Sequence, residues 1–169
     1  MQGKLYMEHC LIGKTIIAMN IASDGLALQI ITSDKEEIIV RVDGDCCSHT
    51  WIEHVQLPPL GFPALVTDVD ELTFEYDDPP VEEPFNSQME DNEYGEYDDD
   101  DDDDYEYDDS VIVEYGCAIR TLKGDILIEY RNSSNGYYGG NLCWPGDYFY
   151  GGVHGQNISN NQWVEISEC

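Results

Sequence analysis

The sequence predicts a mainly β protein, a small antiparallel barrel or sandwich with one short helix and a long acidic insertion. Three observations predict it. Short segments rich in Ile, Val and Leu recur along the chain, each closed by a cluster of Asp, Ser or Gly. Several of them alternate apolar and polar residues with the period of two that a half-buried strand requires. Between two groups of such segments lies a stretch, Asp68 to Asp109, with 22 Asp or Glu and no Lys or Arg.

From Gly13 the elements follow in order. Thr15 to Ile21 is rich in Ile and Met, Ser23-Asp24-Gly25 supplies a tight turn, and Leu26 to Thr32 reads as the next strand. Ser33-Asp34-Lys35 makes a second turn, and Glu36 to Val42 a third strand ending at Asp43-Gly44, where glycine takes a positive φ cheaply. The three form a meander. Thr50 and Glu53 have the spacing of a capping box, which predicts the one helix over Thr50 to Val55, stopped before Pro58-Pro59. Leu65 to Val69 and Leu72 to Tyr76 read as strands, and Pro79, Pro80 and Pro84 end regular pairing as the acidic stretch begins. Ser110 to Thr121 and Asp125 to Arg131, turning at Lys123-Gly124, make the clearest hairpin. Two aromatic-glycine units, Asn135 to Gly140 and Asp147 to Gly152, read as hairpin ends, and Gln162 to Ile166 as a closing strand.

A length of 169 residues fits a single β domain over 1–169, interrupted by an insertion over 74–109 between the meander and the hairpin region. The charge is local: of the formal -29, the acidic stretch carries -22, leaving 14 acids against 7 bases elsewhere. Met1 to Cys10 has no apolar run long enough for a secretion signal, and no later segment approaches the roughly 18 apolar residues of a membrane span. The expectation is a cytoplasmic protein whose six cysteines are thiols. Asn132-Ser133-Ser134 matches a glycosylation acceptor, without consequence in that compartment.

Such a field repels nucleic acid and anionic membranes and draws in basic surfaces, chiefly those of proteins that bind nucleic acid. Seven basic residues make no nucleic-acid-binding face, and no glycine loop ends in the Lys-Ser or Lys-Thr of a phosphate cradle, so direct binding of DNA or RNA is disfavoured. The candidate partner-binding residues are Asp98, Asp99, Asp100, Asp101, Asp102, Asp103 and Asp104, with Tyr97, Tyr105, Glu106, Tyr107, Asp108 and Asp109. An extended chain advances about 3.3 Å per residue. One DNA strand places a phosphate about every 3.4 Å. A run of aspartates therefore reproduces the linear charge of one strand, and the tyrosines can stack on arginine or fill base-sized pockets. The bland alternative is a solvated acidic loop, against which stand the internal position and the interleaved aromatics.

Cys46, Cys47, His49 and His54 offer four soft ligands within nine residues, to which His9 or Cys10 could add from the first strand. Zinc is the one cofactor they would suit, but its ligands commonly come in pairs two to four residues apart, and adjacent cysteines on an extended backbone point to opposite faces. Buried thiols and packing histidines are the competing interpretation. No catalytic constellation stands out: a cysteine nucleophile needs a lowered thiol pKa, which a surplus of negative charge opposes.

Two segments carry a resemblance. Asp45-Cys46-Cys47-Ser48-His49-Thr50-Trp51, and Arg131-Asn132-Ser133-Ser134-Asn135-Gly136-Tyr137-Tyr138-Gly139-Gly140, together with Leu11 to Ile16, resemble a family of small uncharacterised bacteriophage and prophage proteins. The resemblance implies a phage product acting in the host bacterial cytoplasm and carries over no catalytic role; the acidic insertion is where this chain departs from plainer members. The leading expectation is a non-enzymatic inhibitor that mimics nucleic acid and blocks a basic host DNA- or RNA-binding protein, such as a CRISPR effector or another defence nuclease. The alternatives are a small-molecule or metal-binding module built on the double-cysteine segment and the aromatic-glycine loops, and a virion protein.

Overall fold

The computed structural model describes residues 2–44, 48–74, 111–134, 139–147 and 162–167. Residues 1–74 and 110–169 cluster as one unit; residues 75–109 cluster separately and lie outside the described residues.

The chain opens with a helix, α1 (Gln2–Leu11). Met7 and Leu11, four apart and so on one face, are 1% and 0% exposed and enter the core. Gly13, at a φ of 82°, ends the helix and turns the chain into β1 (Thr15–Ala22), β2 (Ala27–Thr32) and β3 (Glu37–Gly44). These pair antiparallel in succession. The β1–β2 turn has Gly25 at a φ of 73°, and Asp24 Oδ1 accepts from Leu26 N. A register shift between Ile16 and Ala18 moves the inward phase of β1, so that Ile16, Met19 and Ala22 are buried while Ile17 is exposed.

The remaining strands are β4 (His49–Gln56), β5 (Ala64–Thr73), β6 (Val111–Thr121), β7 (Ile126–Ser134), β8 (Gly140–Cys143) and β9 (Trp163–Glu165). They complete one open antiparallel sheet ordered β4-β7-β6-β5-β1-β2-β3-β8, with β9 on β1. The joint between β5 and β1 is only two residue pairs long, Thr15↔Leu65 and Ile16↔Ala64. Inner faces from both sides of this joint supply a single core: Met19, Leu28, Ile30 and Val40 from one side, Val66, Ile119, Ile126 and Ile128 from the other.

Four expectations are corrected. Thr50 to Val55 is strand: β4 pairs with β7 from His49↔Ser133 to Gln56↔Leu127, and this non-local ladder outweighs the capping-box spacing. The one helix is α1 instead, so His9 and Cys10 sit on a helix and not on a first strand. Gly44 stays inside β3, opposite Gly140. Glycine is needed there for closeness, since a Cβ would lie 2.7 Å from Ser48 Oγ and 2.8 Å from Thr50 Oγ1. The two segments expected around Leu65 to Tyr76 are one strand through Thr73, and the strands read on either side of the acidic stretch stand where the alternation put them.

Candidate functional site

Register fixes which strand ends lie together. Thr73 of β5 faces Tyr115 of β6, Val111 of β6 faces Ser134 of β7, His49 of β4 faces Ser133, and Gly44 of β3 faces Gly140 of β8. Packing joins the β3–β8 end to the β4–β7 end, since a Cβ on Gly44 would lie 2.8 Å from Thr50 Oγ1 and one on Gly140 3.0 Å from Asn132 Cβ, so these strand ends share one rim. Three connections leave from that rim: residues 45–48, residues 74–110 and residues 135–139. The two motif segments that carry the phage-protein resemblance and the root of the acidic insertion are thus brought to the same edge of the β unit by topology.

Beneath the rim lies a buried polar relay. In β7 the inward phase runs Ile126, Ile128, Tyr130, Asn132, Ser134, so Asn132 occupies a core position and is 0% exposed. Its Nδ2 donates to Thr50 Oγ1 at 2.8 Å, and Thr50 Oγ1 donates its single proton to the Asp43 carbonyl at 2.9 Å. That direction fixes the amide: reversed, it would ask the Thr50 hydroxyl for a second proton. Among the described residues, Asn132 Oδ1 is left buried without a hydrogen-bond partner. Gly140 is part of the same fit, because a Cβ there would lie 2.5 Å from Thr50 Oγ1. The glycosylation match at Asn132 is answered by its burial on a central strand. Sequence reading passed over this relay; the signal was the phase, which places Asn132 and Ser134 in line with Ile126 and Ile128.

Cys143 extends the polar ground, its Sγ lying 3.7 Å from Asp43 Oδ2. Burial, with the Asp43 and Asp147 carboxylates adding to it, pushes this thiol up to about 12. Cys117, packed with its Sγ 3.1 Å from Met7 Sδ, is likewise pushed to about 12, by burial first and then by Glu71 and Asp70. The thiolate is the nucleophilic and metal-binding form, so both stay protonated at neutral pH.

The sequence-derived site residues divide as follows. Asp98 to Asp104, Tyr97, Tyr105, Glu106, Tyr107, Asp108 and Asp109 lie outside the described residues, as do Cys46 and Cys47. His49 and His54 are both exposed on β4. They face Ser133 and Glu129 of β7, four residues apart across the bulge at Glu53, and so stand roughly 13 Å apart along the strand, not side by side. The His49 ring stacks on Trp51, with centroids 5.4 Å apart, and Trp51 Nε1 donates to Glu53 Oε2 at 2.8 Å. Among the described residues no group of three or more His, Cys, Asp or Glu is placed to hold a metal. At the insertion's root the Phe74 ring lies over Gly116, and Phe74, Val111 and Ile112 are exposed.

Three cations are engaged within the β unit. Arg131 pairs with Glu53 at 3.4 Å and Glu114 at 2.8 Å, Arg120 with Asp70 and Asp125, and Lys14 with Glu36. Among the described residues no helix is long and apolar enough to cross a membrane.

Residues 9–144, 136 of the 169, match the family described as Domain of unknown function (DUF7448), and the chain belongs to that family. No curated protein and no solved structure matches it.

Proposed function

We propose that, within a family of unassigned chemistry, this chain is a non-enzymatic phage-encoded inhibitor. It acts in the host bacterial cytoplasm and presents its acidic, tyrosine-bearing insertion to a basic nucleic-acid-binding protein in place of nucleic acid. The observation that carries the reading is segregation of charge. Residues 75–109 contain 19 Asp or Glu and no Lys or Arg. Three of the chain's seven Lys and Arg, namely Lys14, Arg120 and Arg131, are paired with carboxylates outside that segment. Carboxylates at this density, without local counter-charge, repel one another until cations arrive. A basic groove shaped for phosphates supplies them at matching spacing. Partner, compartment and origin rest on the charge and on the phage-protein resemblance together.

The test is capture from a bacterial lysate at low salt by the whole chain and by a variant with Asp98 to Asp104 all changed to Asn. The expected result is a set of proteins released by a salt step and by a competing DNA duplex, with at least a tenfold lower yield on the variant. Equal capture by the variant, or capture indifferent to the duplex, would overturn the reading.

A further inference from the structure

We infer that the slot between β4 and β9 is a strand-addition site for an extended peptide that alternates apolar residues with Lys or Arg. It is a different surface from the acidic insertion, and it rests on different observations.

The slot exists because the sheet forks. β1 holds β5 only at Thr15 and Ile16; farther along, the same side of β1 holds β9 through Asn20↔Glu165, Ile21↔Val164 and Ala22↔Trp163. β4 pairs with β7 on one side. On its other side, among the described residues, one backbone bond is made, from Ile52 N to Gly25 O at 2.9 Å. Beyond that point the outer edge of β4 opens onto a groove of about 530 Å³. Its floor is Ile21, Val55, Leu57 and Ile166, and its rim is Glu53, His54 and Glu165.

Backbone direction makes the groove suitable for a strand. Gln162 O accepts from Ser23 N, and Ile166 N donates to Met19 O. By antiparallel alternation, Gln162, Val164 and Ile166 address β1, so the backbone groups of Trp163 and Glu165 point the other way, toward the slot. β4 runs away from Gly25 after Ile52, and β9 runs from its pairing with Ala22 toward Met19, away from the same turn. The two flanking strands thus share a direction. A single segment running opposite to both is antiparallel on both of its sides, the stronger pairing. His54 to Leu57 offers about 13 Å of edge, room for four residues. Glu53 is the extra residue where the β4–β7 register shifts, a bulge that discourages pairing at the mouth but leaves the edge beyond it regular.

Charge selects the occupant. Glu53 is offset in part by Arg131 at 3.4 Å, whereas among the described residues exposed Glu165 pairs with no cation, and the chain as a whole carries -29. A second copy would bring the same -29 to this face and be repelled. A peptide with apolar residues for the floor and basic residues for the rim meets both requirements, with main-chain bonds supplying affinity and alternate side chains specificity.

The probe is a fluorescent peptide of sequence Lys-Val-Lys-Val-Arg-Val-Lys. Its control has identical side chains but is N-methylated at alternate backbone nitrogens. Both are titrated into the full chain carrying Asp98 to Asp104 as Asn, so that attraction to the acidic run cannot imitate binding here. Saturable binding is expected, weakened at least tenfold by N-methylation and at least tenfold by Glu165→Lys, with slowed amide exchange at Trp163 and Glu165. Equal affinity for the N-methylated peptide, or binding that disappears once the seven aspartates are neutralised, would overturn the inference. Glu165 is exposed, and an unchanged thermal melt checks that its replacement leaves the fold intact. Failure here leaves the proposal for the insertion standing, and loss of lysate capture by the asparagine variant leaves this one standing.

Discussion

Thr50→Val tests the buried relay most directly. Valine keeps the shape of threonine and removes one oxygen, which at a site 5% exposed leaves Asn132 Nδ2 without a partner, 2.8 Å from a methyl, while the Asp43 carbonyl, facing Asn141 in the β3–β8 ladder, loses only its second donor, which stood at 2.9 Å. Each newly orphaned buried group costs about 1–3 kcal/mol. The extra apolar carbon returns less than about 1 kcal/mol. The expected loss is therefore about 1–2 kcal/mol, a sizeable part of the stability of a domain this size.

Asn132→Leu behaves differently. It deletes the donor to Thr50 but also deletes Oδ1, already unsatisfied among the described residues, while Thr50 continues to bond Asp43. Its cost is expected to be about 1 kcal/mol or less. The double variant loses the whole carboxamide along with the hydroxyl, so the orphaned amide is removed with its partner, and it should be more stable than Thr50→Val alone. Urea unfolding at pH 7, followed by tryptophan fluorescence and compared at constant m, reads all three. Additive losses, or a Thr50→Val midpoint unchanged from the parent, would refute the relay as a coupled unit.

Two other outcomes follow from the same packing. Gly140→Ala places a methyl 2.5 Å from Thr50 Oγ1 and 2.8 Å from Thr50 Cγ2; a loss of about 1–3 kcal/mol in urea unfolding is expected from the overpacking. Stability should also fall at alkaline pH. The Cys117 thiol is raised from 9.0 to about 12 in the folded state, so the native chain keeps a proton that the unfolded chain releases. Its contribution is whole below pH 9 and is lost as pH rises from 9 toward 12, up to about 4 kcal/mol at the top of that window. Unfolding curves at pH 7, 9 and 10.5 should show the loss, and Cys117→Val should reduce it, leaving the share of Cys143, whose thiol is raised in the same way.

The sequence reading succeeded where an element's pattern was local. β6 and β7 alternate on their own, and β1 to β3 are divided by Asp24-Gly25 and Asp34-Lys35, turn residues that act within a few positions. It failed where a distant partner decides. Thr50 and Glu53 have helix-start spacing, and only the β7 ladder, some eighty residues away, makes that segment a strand. α1 was missed because Met7 and Leu11, its fully buried positions among the described residues, span one turn, too short a stripe to announce a helix. Of the candidate site, the two motifs were legible as unusual strings, but their meeting at one rim depends on which strands pair. Asn132 was read for its match to a surface modification site when its phase in β7 already marked it as interior.

The position of the acidic insertion follows from the cost of carrying it. β5 and β6 pair from Val66↔Thr121 to Thr73↔Tyr115, and β6 continues along β7 as far as Val111↔Ser134. Those ladders set the register without help from the connection. Lengthening a flexible connection from ten residues to thirty-five adds only about 1 kcal/mol of closure entropy. The charge is a separate matter. Spread over the strands, 19 carboxylates would fall on positions that the ladders bury or pair with one another; gathered in one connection they leave every strand pair in place. Sequence change in residues 75–109 can therefore tune charge, length and aromatic spacing toward a partner while the core from Met7 to Ile128 keeps its packing. That separation is what makes the asparagine variant a clean instrument: its melting temperature should stay at or above the parent's, since removing seven mutually repelling charges relieves the chain and touches none of the described strand pairs.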